Sequence, residues 1–242
     1  MTPVHRSAVT AGAVGLAGVA GLAWAARARL AVGEWYPAKA SAVFAIVMLV
    51  AIGLLRGNHP FGRFGPANQI TTARAMLVAL VVSLIGEPDR TATAAGAAAL
   101  SLLVTLLDGV DGWLARLSGM ASEFGARFDM EIDALLILAL AILAWQYDKA
   151  GPWVIMSGLL RYLFVAAGWL LPWLQNPLPA SRRRQTICVI QIVGLTLTIL
   201  PVIGRPSSLL PASVALMALC YSFLTDTLWL WRHAPPARQA AW

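Results

Sequence analysis

The chain is 242 residues long, 59% hydrophobic and only 12% charged, with a mean hydropathy of +0.73. That composition excludes an ordinary soluble domain and marks an all-α polytopic membrane protein. The net charge of +7 does not point to nucleic acid, because most basic residues stand at the ends of apolar runs, where they set topology and meet anionic ligands.

Eight apolar segments, each near the roughly 20 residues that cross a bilayer, lie at about 7–26, 38–55, 68–86, 91–115, 126–147, 152–173, 185–203 and 208–231. Turn chemistry separates them, as in Tyr36-Pro37, Gly86-Glu87-Pro88, Gly151-Pro152 and Asn176-Pro177. The connections are short, so consecutive helices are expected to run antiparallel. The first run ends at Ala23-Trp24-Ala25, which resembles a signal-peptide cleavage site, but it is long enough to span and is read as an uncleaved helix. Lys and Arg fall ten on one side of the alternating loops and six on the other, which places the first side, with both termini, in the cytoplasm. Trp35, Trp145 and Trp153 are expected at the outer interface, and Trp173, Trp229 and Trp231 at the inner one. Cys188 and Cys220 lie inside apolar segments and read as small buried hydrophobes.

The fourth and fifth segments meet in DGVDGWLARLSGMASEFGARFDMEID, residues 108–133, which holds six of the chain's eleven carboxylates. An Asp at the centre of a membrane helix costs roughly 2.5–3.5 kcal/mol, so four cost on the order of 10 kcal/mol unless they sit near an interface or around a compensating charge. Asp108 and Asp111 are three apart, Asp129 and Asp133 four apart; on helices each spacing puts both carboxylates on one face. Ser118-Gly119 and Ser122 can turn the chain between them, so two antiparallel helices would present two carboxylate pairs to each other. Carboxylates this close repel, and hard divalent cations relieve that best, with Mg²⁺ the first choice and Mn²⁺ the second. Glu131 stands about 200° from Asp129 around the helix and faces elsewhere. Gly112 and Gly125 leave room for a ligand beside the carboxylates, and Arg116 suits a phosphate oxygen. Carboxylates, metal and arginine together describe phosphoryl-transfer chemistry.

The complete spacing D-x2-D-G-x2-A-R-x8-G-x3-D-x3-D, from Asp108 through Asp111, Gly112, Ala115, Arg116, Gly125 and Asp129 to Asp133, resembles the signature of the CDP-alcohol phosphatidyltransferase family. A second fragment, Pro66-Ala67-Asn68-Gln69-Ile70-Thr71 followed by Arg74, is similar to the family's P-x-N-x-[LI]-T-x-x-R opening of its first core helix. The resemblance implies a six-helix catalytic core at 58–232, preceded by a pair of transmembrane helices at 1–57 and followed by a cytoplasmic tail at 233–242. It implies that Asp108, Asp111, Asp129 and Asp133 hold two divalent cations, Mg²⁺ or Mn²⁺, on the diphosphate of a CDP-linked donor. Asp133 is also the expected general base. Gly112, Arg116 and Ser122 are expected to contact the nucleotide, with Pro66, Ala67, Asn68, Gln69 and Thr71 at the cytidine side.

The acceptor is less specified. Arg161 interrupts an apolar helix and either holds an anionic group of the acceptor or pairs with a structural carboxylate. Arg182, Arg183 and Arg184 open the seventh segment and either bind an acceptor phosphate or anchor to anionic lipid. The chain lacks the lysine-rich pattern common in glycerophosphate-using members. Asp226 is expected to pair with Arg232. The reading is a phospholipid-synthesis enzyme of the cell inner membrane, active at the cytoplasmic face. It would move a phosphatidyl group from CDP-diacylglycerol to a small alcohol such as glycerol 3-phosphate and release CMP; homodimers are common in the family. The alternatives are a CDP-linked head-group transferase with diacylglycerol as acceptor, and a cation transporter lined by the same carboxylates.

Overall fold

A computed structural model describes residues 2–30, 32–55, 59–179 and 181–233. Eight α-helices follow in order: α1 (Pro3–Leu30), α2 (Tyr36–Leu54), α3 (Pro66–Val82), α4 (Thr91–Ser118), α5 (Glu123–Gln146), α6 (Met156–Leu170), α7 (Arg182–Ile199) and α8 (Leu209–Arg232). Short 3₁₀ turns at Pro152–Ile155 and Pro172–Gln175 flank α6, and no strand occurs among the described residues. The eight expected segments are therefore eight helices, and the expected tail lies outside the described residues except for His233.

Local chemistry sets the ends that matter. Gly65, at φ +84°, breaks the chain before α3, and Pro66 takes the first helical position, where its missing N–H costs nothing. Gly119 ends α4 in the left-handed conformation at φ +64°. Three residues later Ser122 caps α5, its hydroxyl accepting from Gly125 N–H at 3.1 Å.

Burial divides the helices into two kinds. Among the described residues five stretches are long and apolar enough to cross a membrane: α1, α2, α4, α8 and Pro152–Leu170, the last including α6. They keep exposed apolar faces, such as Val14, Leu49, Leu106, Leu163 and Met217. The interior of the bundle is built around α5, whose Leu136, Leu140 and Leu143 are fully buried, with α3 and α7 packed on it. Trp35 and Trp145 are exposed, as membrane-interface residues would be.

The N-terminal pair is docked rather than appended. Gly15 lets the Phe44 ring of α2 lie against the α1 backbone, where a methyl would collide with it. The pair then grips α3 at both ends. At one end Phe64 N–H donates to Ser7 Oγ at 3.1 Å. At the other, Tyr36 Oη donates to Leu80 O at 3.0 Å, and Glu87 accepts from Gly33 N–H at 2.6 Å and from Lys39. Burial alone would push the Glu87 carboxyl up, but the hydrogen bonds from Lys39 and Gly33 outweigh it and hold it below its ordinary value.

Candidate active site

The expected direct pairing of the two carboxylate helices is corrected by the structure: α4 and α5 pack on α3 rather than along each other, and α3 brings Asp108 and Asp111 of α4 together with Asp129 and Asp133 of α5. Carboxylate oxygens of Asp108, Asp111 and Asp129 all lie within 4.8 Å of one another. Asp111 is the most enclosed, with 6% of its side chain exposed, whereas Asp108 and Asp129 remain about one-third open at 33% and 36%. Asp133 stands one turn further along α5, at 14%.

The compensating charge is Arg74. Its side chain is fully buried, and its two terminal nitrogens reach all four carboxylates. Nη1 donates to Asp111 Oδ2 at 2.6 Å and to Asp129 Oδ1; Nη2 lies 2.9 Å from Asp108 Oδ1 and donates to Asp133 Oδ1. Thr71, one turn earlier on α3, adds a hydroxyl to Asp111 Oδ2 at 3.2 Å. From α7, Cys188 Sγ stands 3.5 Å from Asp133 Oδ2. Arg74 Nε is buried without a hydrogen-bond partner. Four carboxylates against one guanidinium leave the cage at −3. Three clustered carboxylates with excess negative charge, all offering hard oxygen donors, fit a divalent cation.

The nucleotide-side residues converge on the same place. Asn68 is buried; its amide donates to Phe64 O at 2.5 Å, and its Oδ1 would stand 2.9 Å from a Cβ built on Gly125. Gly125 is thus glycine because α3 approaches α5 there. Pro66 and Ala67 are half-buried and Gln69 is exposed in the same first turns of α3. Arg116, one turn on from Gly112, places its Nη1 3.6 Å from where a Cβ on Gly112 would stand; Arg116 itself is exposed. Ser122, expected at the nucleotide, is the cap of α5 and lies 3.1 Å from His59 Nδ1.

The arginines of the acceptor side find partners. Arg161 pairs with Glu131, which confirms that Glu131 faces away from the cage. Arg183 donates to Ser222 O at 2.9 Å and to Asp226, and Arg184 lies 3.4 Å from the same Asp226 oxygen. The expected Asp226–Arg232 pair is corrected by this. Six residues along a helix is about 240° around it, so the two side chains diverge while α7 presents Arg183 directly. Arg182 is exposed beside them. Sequence reasoning missed the roles of Arg74, Cys188 and Asp226. For Arg74 a signal existed: a charge in the apolar run of α3 demanded a partner.

An integral helix bundle whose carboxylates converge on one charged cage, with an arginine and glycines beside it, has the makings of a phosphoryl-transfer enzyme. Comparison with known proteins agrees. The sequence profile of the CDP-alcohol phosphatidyltransferase family matches residues 64–226, and the chain belongs to that family. It is 32% identical over 140 residues to a probable phosphatidylglycerophosphate synthase of Mycobacterium tuberculosis, covering 57% of this chain and 67% of the relative. It is 27% identical over 134 residues to a CDP-diacylglycerol--glycerol-3-phosphate 3-phosphatidyltransferase of Rickettsia typhi, covering 55% and 75%. A protein of the same description from Bacillus subtilis is 27% identical over 104 residues, covering 38% and 54%. No solved structure matches. The chain is thus a membrane enzyme that transfers substituted phosphate groups from CDP-alcohols.

Proposed function

We propose that the protein transfers the phosphatidyl group of CDP-diacylglycerol to a hydroxyl of glycerol 3-phosphate and releases CMP, at the cytoplasmic face of the cell inner membrane. The observation that carries this reading is the cage itself: the motif's four aspartates meet around one buried guanidinium, and relatives similar in sequence are named for this reaction.

Asp108, Asp111, Asp129 and Asp133 would hold two divalent cations, Mg²⁺ before Mn²⁺. Bound there, the ions would neutralise the donor diphosphate and make CMP a better leaving group. Gly112 and Gly125 keep the wall beside the carboxylates low enough for the nucleotide, and Asn68 fixes the start of α3 against α5. Arg116 offers its exposed guanidinium to the phosphates. The acceptor oxygen bonds to the β-phosphorus, the bond from that phosphorus to the bridging oxygen breaks, and CMP leaves with the bond's electrons. Asp133 takes the hydroxyl proton. Its Oδ1 accepts from Arg74 and its Oδ2 from Cys188 Sγ at 3.5 Å, which fixes the orientation of the carboxylate for that transfer.

The acceptor phosphate belongs at the start of α7. Cations at a helix N-terminus cost about 0.3–1 kcal/mol each against the helix dipole, yet Arg182, Arg183 and Arg184 open α7, with no acidic residue in its first turn. Asp226 supplies one negative charge against three positive ones, so a surplus of +2 remains for an anionic ligand. Arg161, committed to Glu131, is the weaker candidate. Residues 1–57 are proposed as an N-terminal module on a catalytic core of 58–232.

The test is CMP release by purified protein from radiolabelled CDP-diacylglycerol with Mg²⁺ and a panel of acceptors. Release with glycerol 3-phosphate and little with inositol or serine is the expected result. No release with any acceptor, with Mg²⁺ or Mn²⁺, sinks the proposal. Turnover only with a CDP-linked head group and diacylglycerol selects the alternative head-group transferase.

A further inference from the structure

Among the described residues Arg74 is the one cation inside the cage, and its placement says more than charge balance. Each terminal nitrogen spans two helices: Nη1 joins Asp111 of α4 to Asp129 of α5, and Nη2 joins Asp108 of α4 to Asp133 of α5. It engages one oxygen of each carboxylate, Oδ1 of Asp108, Oδ2 of Asp111, Oδ1 of Asp129 and Oδ1 of Asp133, and leaves the second oxygen of each out of its contacts. Arg74 is fully buried while Asp108 and Asp129 are one-third open, so the guanidinium lies on the closed side of the cage. A lysine offers a single nitrogen and cannot make this fourfold fork.

We infer that Arg74 is a resident counter-cation, a positioning residue that assembles the four carboxylates before any metal arrives and, by its positive charge, limits how tightly a divalent ion is then held. The inference rests on the reading of the cage as a divalent-cation site. Its physical basis is a competition. Losing a residue that orients metal ligands typically weakens metal binding by about 10–100-fold. Losing a positive charge that shares all its carboxylates with a divalent ion works the other way. Inside a protein the repulsion of +1 on +2 at such range exceeds that factor. The charge effect wins, and the cage shifts from −3 to −4. A weakened hold suits an enzyme whose product must leave a metal-lined site.

The experiment uses the full-length protein in detergent, stripped of metal with EDTA, and reads Mn²⁺ binding by electron paramagnetic resonance together with thermal unfolding. Wild type, Arg74→Met and Arg74→Lys are compared. Arg74→Met should unfold on the order of 10 °C lower without metal, as expected when buried charges lose their partner, and should bind Mn²⁺ at least about tenfold more tightly. Arg74→Lys should bind Mn²⁺ about 10–100-fold more weakly than wild type and still unfold early, since it keeps the charge and loses the fork. Unchanged or weaker Mn²⁺ binding by Arg74→Met overturns the inference and leaves Arg74 a structural ion pair. If Arg74→Met does not fold, adding Asp108→Asn returns the cage to −3 and should recover folding; failure to recover overturns the inference as well. A wild-type protein that binds no Mn²⁺ overturns the metal reading of the cage, a result distinct from the others.

Discussion

Gly125→Ala separates two explanations of a motif glycine. Taken as an ordinary helix position, Gly125 in α5 should gain up to about 1 kcal/mol from alanine. The structure predicts the opposite sign. A Cβ there stands 2.9 Å from Asn68 Oδ1 and 3.3 Å from Ser122 Oγ. Neither neighbour is free to retreat: Asn68 is tied to Phe64 O at 2.5 Å, and Ser122 is tied to Gly125 N–H and His59 at 3.1 Å each. Overpacking of this kind costs about 1–3 kcal/mol, and moving Ser122 would forfeit a cap worth about 1 kcal/mol. The net is a loss of about 1–2 kcal/mol, or roughly 2–8 °C in Tm for a chain of this size. Because the strain falls on Asn68, KM for CDP-diacylglycerol should rise several-fold while KM for the acceptor stays put. Thermal unfolding and steady-state kinetics read both effects. Gly21→Ala is the control, since nothing lies within 4 Å of its Cβ position. A Gly125→Ala protein as stable as wild type, with an unchanged donor KM, would refute the account of the α3–α5 contact.

Other expectations follow from single contacts. Gln191, fully buried in α7, has neither side-chain amide atom paired. Gln191→Met should therefore raise stability by about 1–3 kcal/mol, read as a higher Tm, and a lower Tm would show that the amide has a hidden partner. The Glu87 carboxyl, held below its ordinary value of 4.5, contributes stability that is present at neutral pH and lost as pH falls through its folded value. The Tm difference between wild type and Glu87→Gln should be largest near neutrality and shrink below about pH 4.5; a difference independent of pH would contradict the Lys39 pairing. Arg182→Ala should raise KM for glycerol 3-phosphate about 5- to 50-fold, the loss of one charge-assisted contact, with donor KM unchanged. An effect on the donor alone would move the acceptor site elsewhere.

The carboxylate pairs were legible because a helix converts spacing into direction. Asp108 with Asp111 and Asp129 with Asp133 share faces by spacing alone, and Glu131 turns away for the same reason. Their closure into one cage was not legible, because it depends on α3 packing against both α4 and α5 and carrying Arg74 between them. What pairs with what across helices was not legible. Arg74 lies 34 residues before Asp108, and no periodicity reports that α3 brings it beneath the cage. Sequence proximity points Asp226 to Arg232, whereas α7 supplies Arg183 and Arg184 from about 40 residues away. Helix membership, too, was clearer than helix ends: α4 runs on to Ser118, past the last apolar residue of its run. The docking of α1 and α2 beside α3 uses isolated hydrogen bonds, from Phe64 N–H to Ser7, from Tyr36 to Leu80 O and from Gly33 N–H and Lys39 to Glu87, that carry no signature in sequence.

The central claim is that the cage performs the transfer with Asp133 as the base, and single-turnover CMP release by Asp133→Asn tests it most directly. With Mg²⁺, CDP-diacylglycerol and saturating glycerol 3-phosphate, the variant should lose at least about 100-fold in the chemical step, while its affinity for CDP stays within a few-fold of wild type. Turnover at the wild-type rate would contradict the claim, because a proton acceptor cannot be dispensed with unnoticed.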